Sequence, residues 1–70
     1  MEIQVAIKEL ISMMNDSNKP NEVRAAAAEG LGYVGGSEAR STLAKMMTDS
    51  NKPNVVRAAA AKALGRATQR

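Results

Sequence analysis

The chain of 70 residues has no cysteine, histidine, phenylalanine or tryptophan, and its one aromatic residue is Tyr33. Without cysteine there is neither a disulfide nor a thiolate nucleophile, and without cysteine and histidine the ordinary zinc ligands are missing. Without histidine, imidazole acid–base chemistry is also gone. The core must be built from Ala, Leu, Ile, Val and Met, and so short a chain buries only about 60% of the surface it exposes when unfolded. No apolar run approaches the roughly 18 residues of a membrane span. Glu2, Lys8 and Glu9 interrupt the apolar N-terminal stretch, which therefore does not read as a signal peptide. Together these absences predict a cytoplasmic protein with no cofactor, no metal and no small-molecule substrate.

What the chain does have is a duplication. Residues 16–32, Asp-Ser-Asn-Lys-Pro-Asn-Glu-Val-Arg-Ala-Ala-Ala-Ala-Glu-Gly-Leu-Gly, return as residues 49–65, an offset of 33 residues, with three replacements. Glu22 becomes Val55, Glu29 becomes Lys62 and Gly30 becomes Ala63. A fixed period of this length marks two copies of one supersecondary unit, each able to bury its apolar face only against a neighbour.

Within each copy the spacing is helical. Ile3, Ala6, Ile7, Leu10, Met13 and Met14 fall three and four apart over residues 2–14. Asn15 to Pro20 reads as a turn, and Pro20 suits the opening of the next helix. That helix shows its apolar spacing at Val23, Ala26, Ala27, Gly30, Leu31 and Val34, and Gly35-Gly36 stops it. Gly30 reads as a tolerated change, because Ala63 fills the matching place. Ser37 is a good N-cap, with Glu38 in the first turn where the helix dipole favours it. Ala39, Leu43, Met46 and Met47 give a third helix. A second copy of the turn follows, then a fourth helix with Val56, Ala59, Ala60, Ala63, Leu64 and Ala67 inward. The polar residues 66–70 are expected to fray. The predicted architecture is all-α: a short α-solenoid, or α–α superhelix, of two helical hairpins and four helices. We read residues 1–70 as a single domain, with one repeat at about 2–35 and the other at about 36–68.

Charge is unevenly shared. Residues 1–35 carry three basic and five acidic groups, a net −2, and residues 36–70 carry seven basic and two acidic groups, a net +5. Two readings stand: solvated surfaces that diverged after duplication, or charge-complementary ends that steer a partner or a second copy.

The segments Glu22-Val23-Arg24-Ala25-Ala26-Ala27-Ala28-Glu29-Gly30-Leu31-Gly32 and Val55-Val56-Arg57-Ala58-Ala59-Ala60-Ala61-Lys62-Ala63-Leu64-Gly65 resemble the second helix of HEAT-like repeats. The nearest subtype is the one named after the phycobilisome lyases, with its Asp, Pro, Val-Arg, Ala-rich stretch and Leu-Gly. Residues 39–49 resemble the first helix of such a repeat. The resemblance implies a hydrogen-bonded ladder between repeats, carried here by Asp16, Arg24, Asp49 and Arg57. The six-residue turn is about two residues longer than the family's, a departure that bears on the ladder's register. The resemblance also implies that the second helices line the face that binds partners, and this places Glu22, Glu29, Tyr33, Lys62 and Arg66 as candidate partner-binding residues.

No arrangement of residues supports catalysis. The serines have no histidine partner, and Asp16-Ser17-Asn18 and Asp49-Ser50-Asn51 lack the glycine and terminal glutamate of a calcium loop. The expected function is a non-catalytic protein-interaction module. One alternative is a self-assembling unit. Ile3, Val5, Ile7 and Ile11 exceed what one apolar stripe can hold and would join two copies as a two-fold homodimer. Head-to-tail stacking is the rival geometry. A third reading is an accessory subunit related to bilin lyases. Nucleic-acid binding through Lys52, Arg57, Lys62, Arg66 and Arg70 rests on charge alone and ranks below these.

Overall fold

A computed structural model describes residues 2–69. It holds four helices: α1 (Ile3–Asn15), α2 (Asn21–Val34), α3 (Ser37–Thr48) and α4 (Asn54–Ala67). α1 packs on α2 and α3 on α4, giving two hairpins. The most extensive packing between the hairpins joins α2 to α4, with α3 touching α2 and α1 more lightly. The two second helices thus form one layer and the two first helices the other, as in a short solenoid.

The helix ends follow from the sequence at the turns. Pro20 and Pro53 precede α2 and α4 with φ of −59° and −61°, and their carbonyls accept the first helical hydrogen bonds. Gly35 and Gly36 carry φ of 71° and 87°, a region glycine enters without strain, so they can reverse the chain between α2 and α3. The Gly35 N–H donates to the Leu31 carbonyl at 2.9 Å. Ser37 is the first residue of α3 rather than its cap. Gly36 holds the cap position, with no side chain bonded there. α4 continues through Arg66 to Ala67, so the helix reaches into the segment expected to fray.

The core contains no aromatic residue. Ile7, Met14, Leu31, Leu43, Met46 and Val56 are its larger members, and Ala27, Ala28, Ala39, Ala59, Ala60 and Ala63 fill the space between helices. In α2 the buried set is Arg24, Ala27, Ala28, Leu31 and Gly32. The expected inward positions Val23 and Ala26 are exposed, so the buried face is turned by about one residue.

Gly32 explains that turn. A Cβ placed there would lie 2.8 Å from both the Cα and the carbonyl oxygen of Ala63 and 2.9 Å from its Cβ. The backbones of α2 and α4 are therefore in direct contact, and only glycine fits. A Cβ at Gly30 would press only a terminal methyl of Leu10, at 3.1 Å.

Candidate functional site

The groove between α2 and α4 is lined by three of the five residues expected to bind a partner, Glu29, Lys62 and Arg66, together with smaller neighbours. α2 supplies Ala25 and Glu29, and α4 supplies Val55, Ala58, Lys62 and Arg66. The floor is small because alanine lines both helices, and the close approach at Gly32 keeps the groove narrow. Glu29 stands on one wall and Lys62 and Arg66 on the other, so the groove presents charge of both signs. Tyr33 rises one helical turn beyond Glu29 and is 71% exposed. The Arg66 guanidinium lies over its ring, 4.5 Å from the centroid. This contact joins the two repeats and stabilises by about 0.5–1 kcal/mol at an exposed site. Glu22 is exposed at the start of α2.

The four residues expected to form the ladder do something more local. The Asp16 carboxylate accepts from the Asn18 N–H at 2.9 Å, and Asp49 accepts from Asn51 at the same distance. Each carboxylate thus closes its own turn. Arg24 is 3% exposed, and its Nε donates to the Met14 carbonyl at 2.8 Å. Arg57 repeats the bond to the Met47 carbonyl at 3.1 Å and adds a 3.4 Å bond to the Asn54 side chain. Met14 and Met47 lie in the last turns of α1 and α3, where carbonyls have no helical partner and the dipole is negative. Each arginine therefore clamps the end of the first helix in its own hairpin. These bonds run within a repeat, whereas the expected ladder joins Asp to Arg between repeats. Each aspartate instead bonds within its own loop. Among the described residues no buried side-chain nitrogen or oxygen lacks a hydrogen-bond partner.

The four aliphatic residues expected to join two copies are divided. Ile7 is in the core and Ile11 packs against it, because both face α2. Ile3 and Val5 are 61% and 45% exposed. A dimer resting on all four side chains together is therefore not available to the folded chain.

Two features were missed from sequence. The Gly32–Ala63 contact was hidden because Gly65, the repeat copy of Gly32, carries no sign of it. A depression lined by Arg40, Ala67, Thr68 and Gln69 lies at the outer end of the second hairpin. It joins Arg40 to the consecutive residues Ala67, Thr68 and Gln69, which share no motif with it. Among the described residues, no three acidic side chains converge as a metal site would require. None of the helices is long and apolar enough to cross a membrane.

Comparison with curated proteins and with solved structures gives no significant match. Residues 6–69 match the family model described as HEAT repeats. HEAT repeats commonly mediate protein–protein interaction and are generally non-catalytic scaffolds. The match is to HEAT repeats as a class, so the lyase-type subtype rests on the sequence resemblance alone. Because it runs from within α1 to the end of α4 and takes in both hairpins, the chain belongs to the HEAT repeat family.

Proposed function

We propose that this chain is a cytoplasmic, non-catalytic protein-interaction module that takes a segment of another protein along the α2–α4 groove. Glu22, Glu29, Tyr33, Lys62 and Arg66 supply the contacts. The observation that carries the reading is the groove itself: an alanine floor flanked by Glu29 on one side and Lys62 and Arg66 on the other, with exposed Tyr33 at one end. Small floor residues admit a backbone or a slim helix. The paired basic side chains favour an acidic residue in the bound segment, and Tyr33 offers an amphipathic anchor of the kind that carries binding energy at interfaces. Glu29 in the same groove disfavours a phosphate backbone, which ranks a protein partner above a nucleic acid. The bilin-lyase reading has no support in this geometry beyond the sequence resemblance.

The test is selection of peptides from a random library on the parent chain, with the Tyr33→Ala, Lys62→Glu, Arg66→Glu triple variant as the control surface. Peptides rich in acidic residues should emerge and lose at least about tenfold in affinity, or 1.4 kcal/mol, on the variant. Selected peptides that bind parent and triple variant equally would sink the groove assignment.

A further inference from the structure

The internal duplication makes the two ends of the molecule comparable residue by residue, and the comparison shows two bare faces that match. On the first hairpin, Met14, Arg24, Ala28, Leu31 and Gly32 are buried. Their copies in the second hairpin, Met47, Arg57, Ala61, Leu64 and Gly65, are all half-buried or exposed. The second hairpin covers the first set, and among the described residues nothing covers the second.

The reverse holds at the other end. Ala39, Leu43, Met46, Val56, Ala59 and Ala63 are buried in the second hairpin, whereas their copies Ala6, Leu10, Met13, Val23, Ala26 and Gly30 are half-buried or exposed, Met13 by 41%. Ile3 falls on the same stripe of α1 as Ala6 and Leu10, and its exposure belongs to this face.

We propose that the chain associates head to tail with a second copy of itself. The outer face of the second hairpin (Ala61, Leu64, Gly65) packs on the outer face of the first hairpin of the next copy (Leu10, Met13, Ala26, Gly30). The contact within one chain is the template. There, Gly32 of α2 meets Ala63 of α4 backbone to backbone. In the same register Gly65 of one copy meets Gly30 of the next, a pair with no Cβ on either side. Gly65 has nothing within 4 Å of where a Cβ would be, so the place is open in the lone chain.

Charge favours the same pairing. The hairpin that offers Gly65 belongs to the half with net +5 and the hairpin that receives it to the half with net −2. Arg40 takes the place at this outer end that buried Ile7 takes in the first hairpin, and Glu9 borders the Ala6–Leu10–Met13 stripe it would approach. Because the two faces differ, the contact is heterologous. It does not close with two copies, and successive additions build a rod or ring. This inference uses the ends of the solenoid and is independent of the α2–α4 groove.

The experiment uses the 70-residue chain and two single variants, Gly65→Gln and Ala26→Arg. Each places a long side chain on one face, at a position that is exposed in the lone chain. Far-UV circular dichroism checks that each still folds, with Met13→Glu replacing Ala26→Arg and Gly65→Lys replacing Gly65→Gln if needed. Molar mass is followed by light scattering from about 1 µM to about 1 mM, since assembly is concentration-dependent. The parent should grow beyond a dimer with concentration, while each variant alone loses at least about tenfold in association. An equimolar mixture of the two variants should recover a dimer and stop there, because one intact face remains on each. A parent that stays monomeric throughout overturns the proposal. So do variants that assemble as the parent does, and so does a mixture no larger than its components, which would mark a two-fold contact instead.

Discussion

Replacing Gly32 with alanine is a sharp test of how the two hairpins meet. Alanine normally stabilises a helix interior by about 1 kcal/mol over glycine. At Gly32 the added methyl would sit 2.8 Å from the Cα and carbonyl oxygen of Ala63, where ordinary contacts are 3.4–4 Å. Two of the three nearest atoms are backbone, so no rotamer change relieves the overlap and α2 and α4 must move apart by a good fraction of an ångström. Overpacking of this kind costs about 1–3 kcal/mol before the helix gain is counted. The net loss of up to about 2 kcal/mol is a sizeable part of the roughly 4–10 kcal/mol that a chain of this length holds, and at its upper end it lowers the melting temperature by about 8–16 °C. Gly65→Ala is the internal control. It meets nothing within 4 Å, so the helix term acts alone and the melt should rise by a few degrees. Thermal unfolding by circular dichroism at low micromolar concentration, where copies stay apart, reads both. Ala63→Gly should lower the melt less in the Gly32→Ala background than in the parent, since it removes one of the three crowded atoms. A Gly32→Ala melt at or above that of the parent would refute the close approach.

Leu31→Ala, at a fully buried site, should cost about 2–5 kcal/mol, whereas Leu64→Ala at the half-buried copy should cost clearly less, and a denaturant titration that ranks them equally would contradict the burial pattern. Arg24→Ala leaves the Met14 carbonyl buried without its donor and should cost about 1–3 kcal/mol, with Arg57→Ala costing less because that arginine is more exposed; comparing the two melts checks the clamp.

Much of this architecture was legible in the chain. The period of 33 residues, the two Asn-Lys-Pro-Asn turns and the Gly35-Gly36 pair placed the four helices to within a residue or so. The phase of α2 was not legible. Four consecutive alanines, Ala25–Ala28, give no polar residue by which to decide which side is inward, and nothing in the pattern marks Arg24 as buried within its own hairpin. Its burial depends on a carbonyl ten residues earlier that only the hairpin brings near. That Glu29, Lys62 and Arg66 share one side was legible, because positions four apart on a helix share a side and the duplication carries one helix onto the other. The unlike fates of equal residues were not. Gly32 and Gly65 sit in the same Leu-Gly pair, and only the presence of a neighbour distinguishes them.

The Tyr33–Arg66 contact has an optical consequence. Tyr33 is the sole aromatic side chain, so all near-ultraviolet absorption and intrinsic fluorescence of the protein arise from one ring. That ring stands on the first repeat with a guanidinium from the second laid across it. The phenol band therefore reports the spacing of the two repeats without a label and without background from other chromophores. Far-UV circular dichroism follows the helices themselves, so the two wavelengths separate loss of repeat stacking from loss of helix in a single sample.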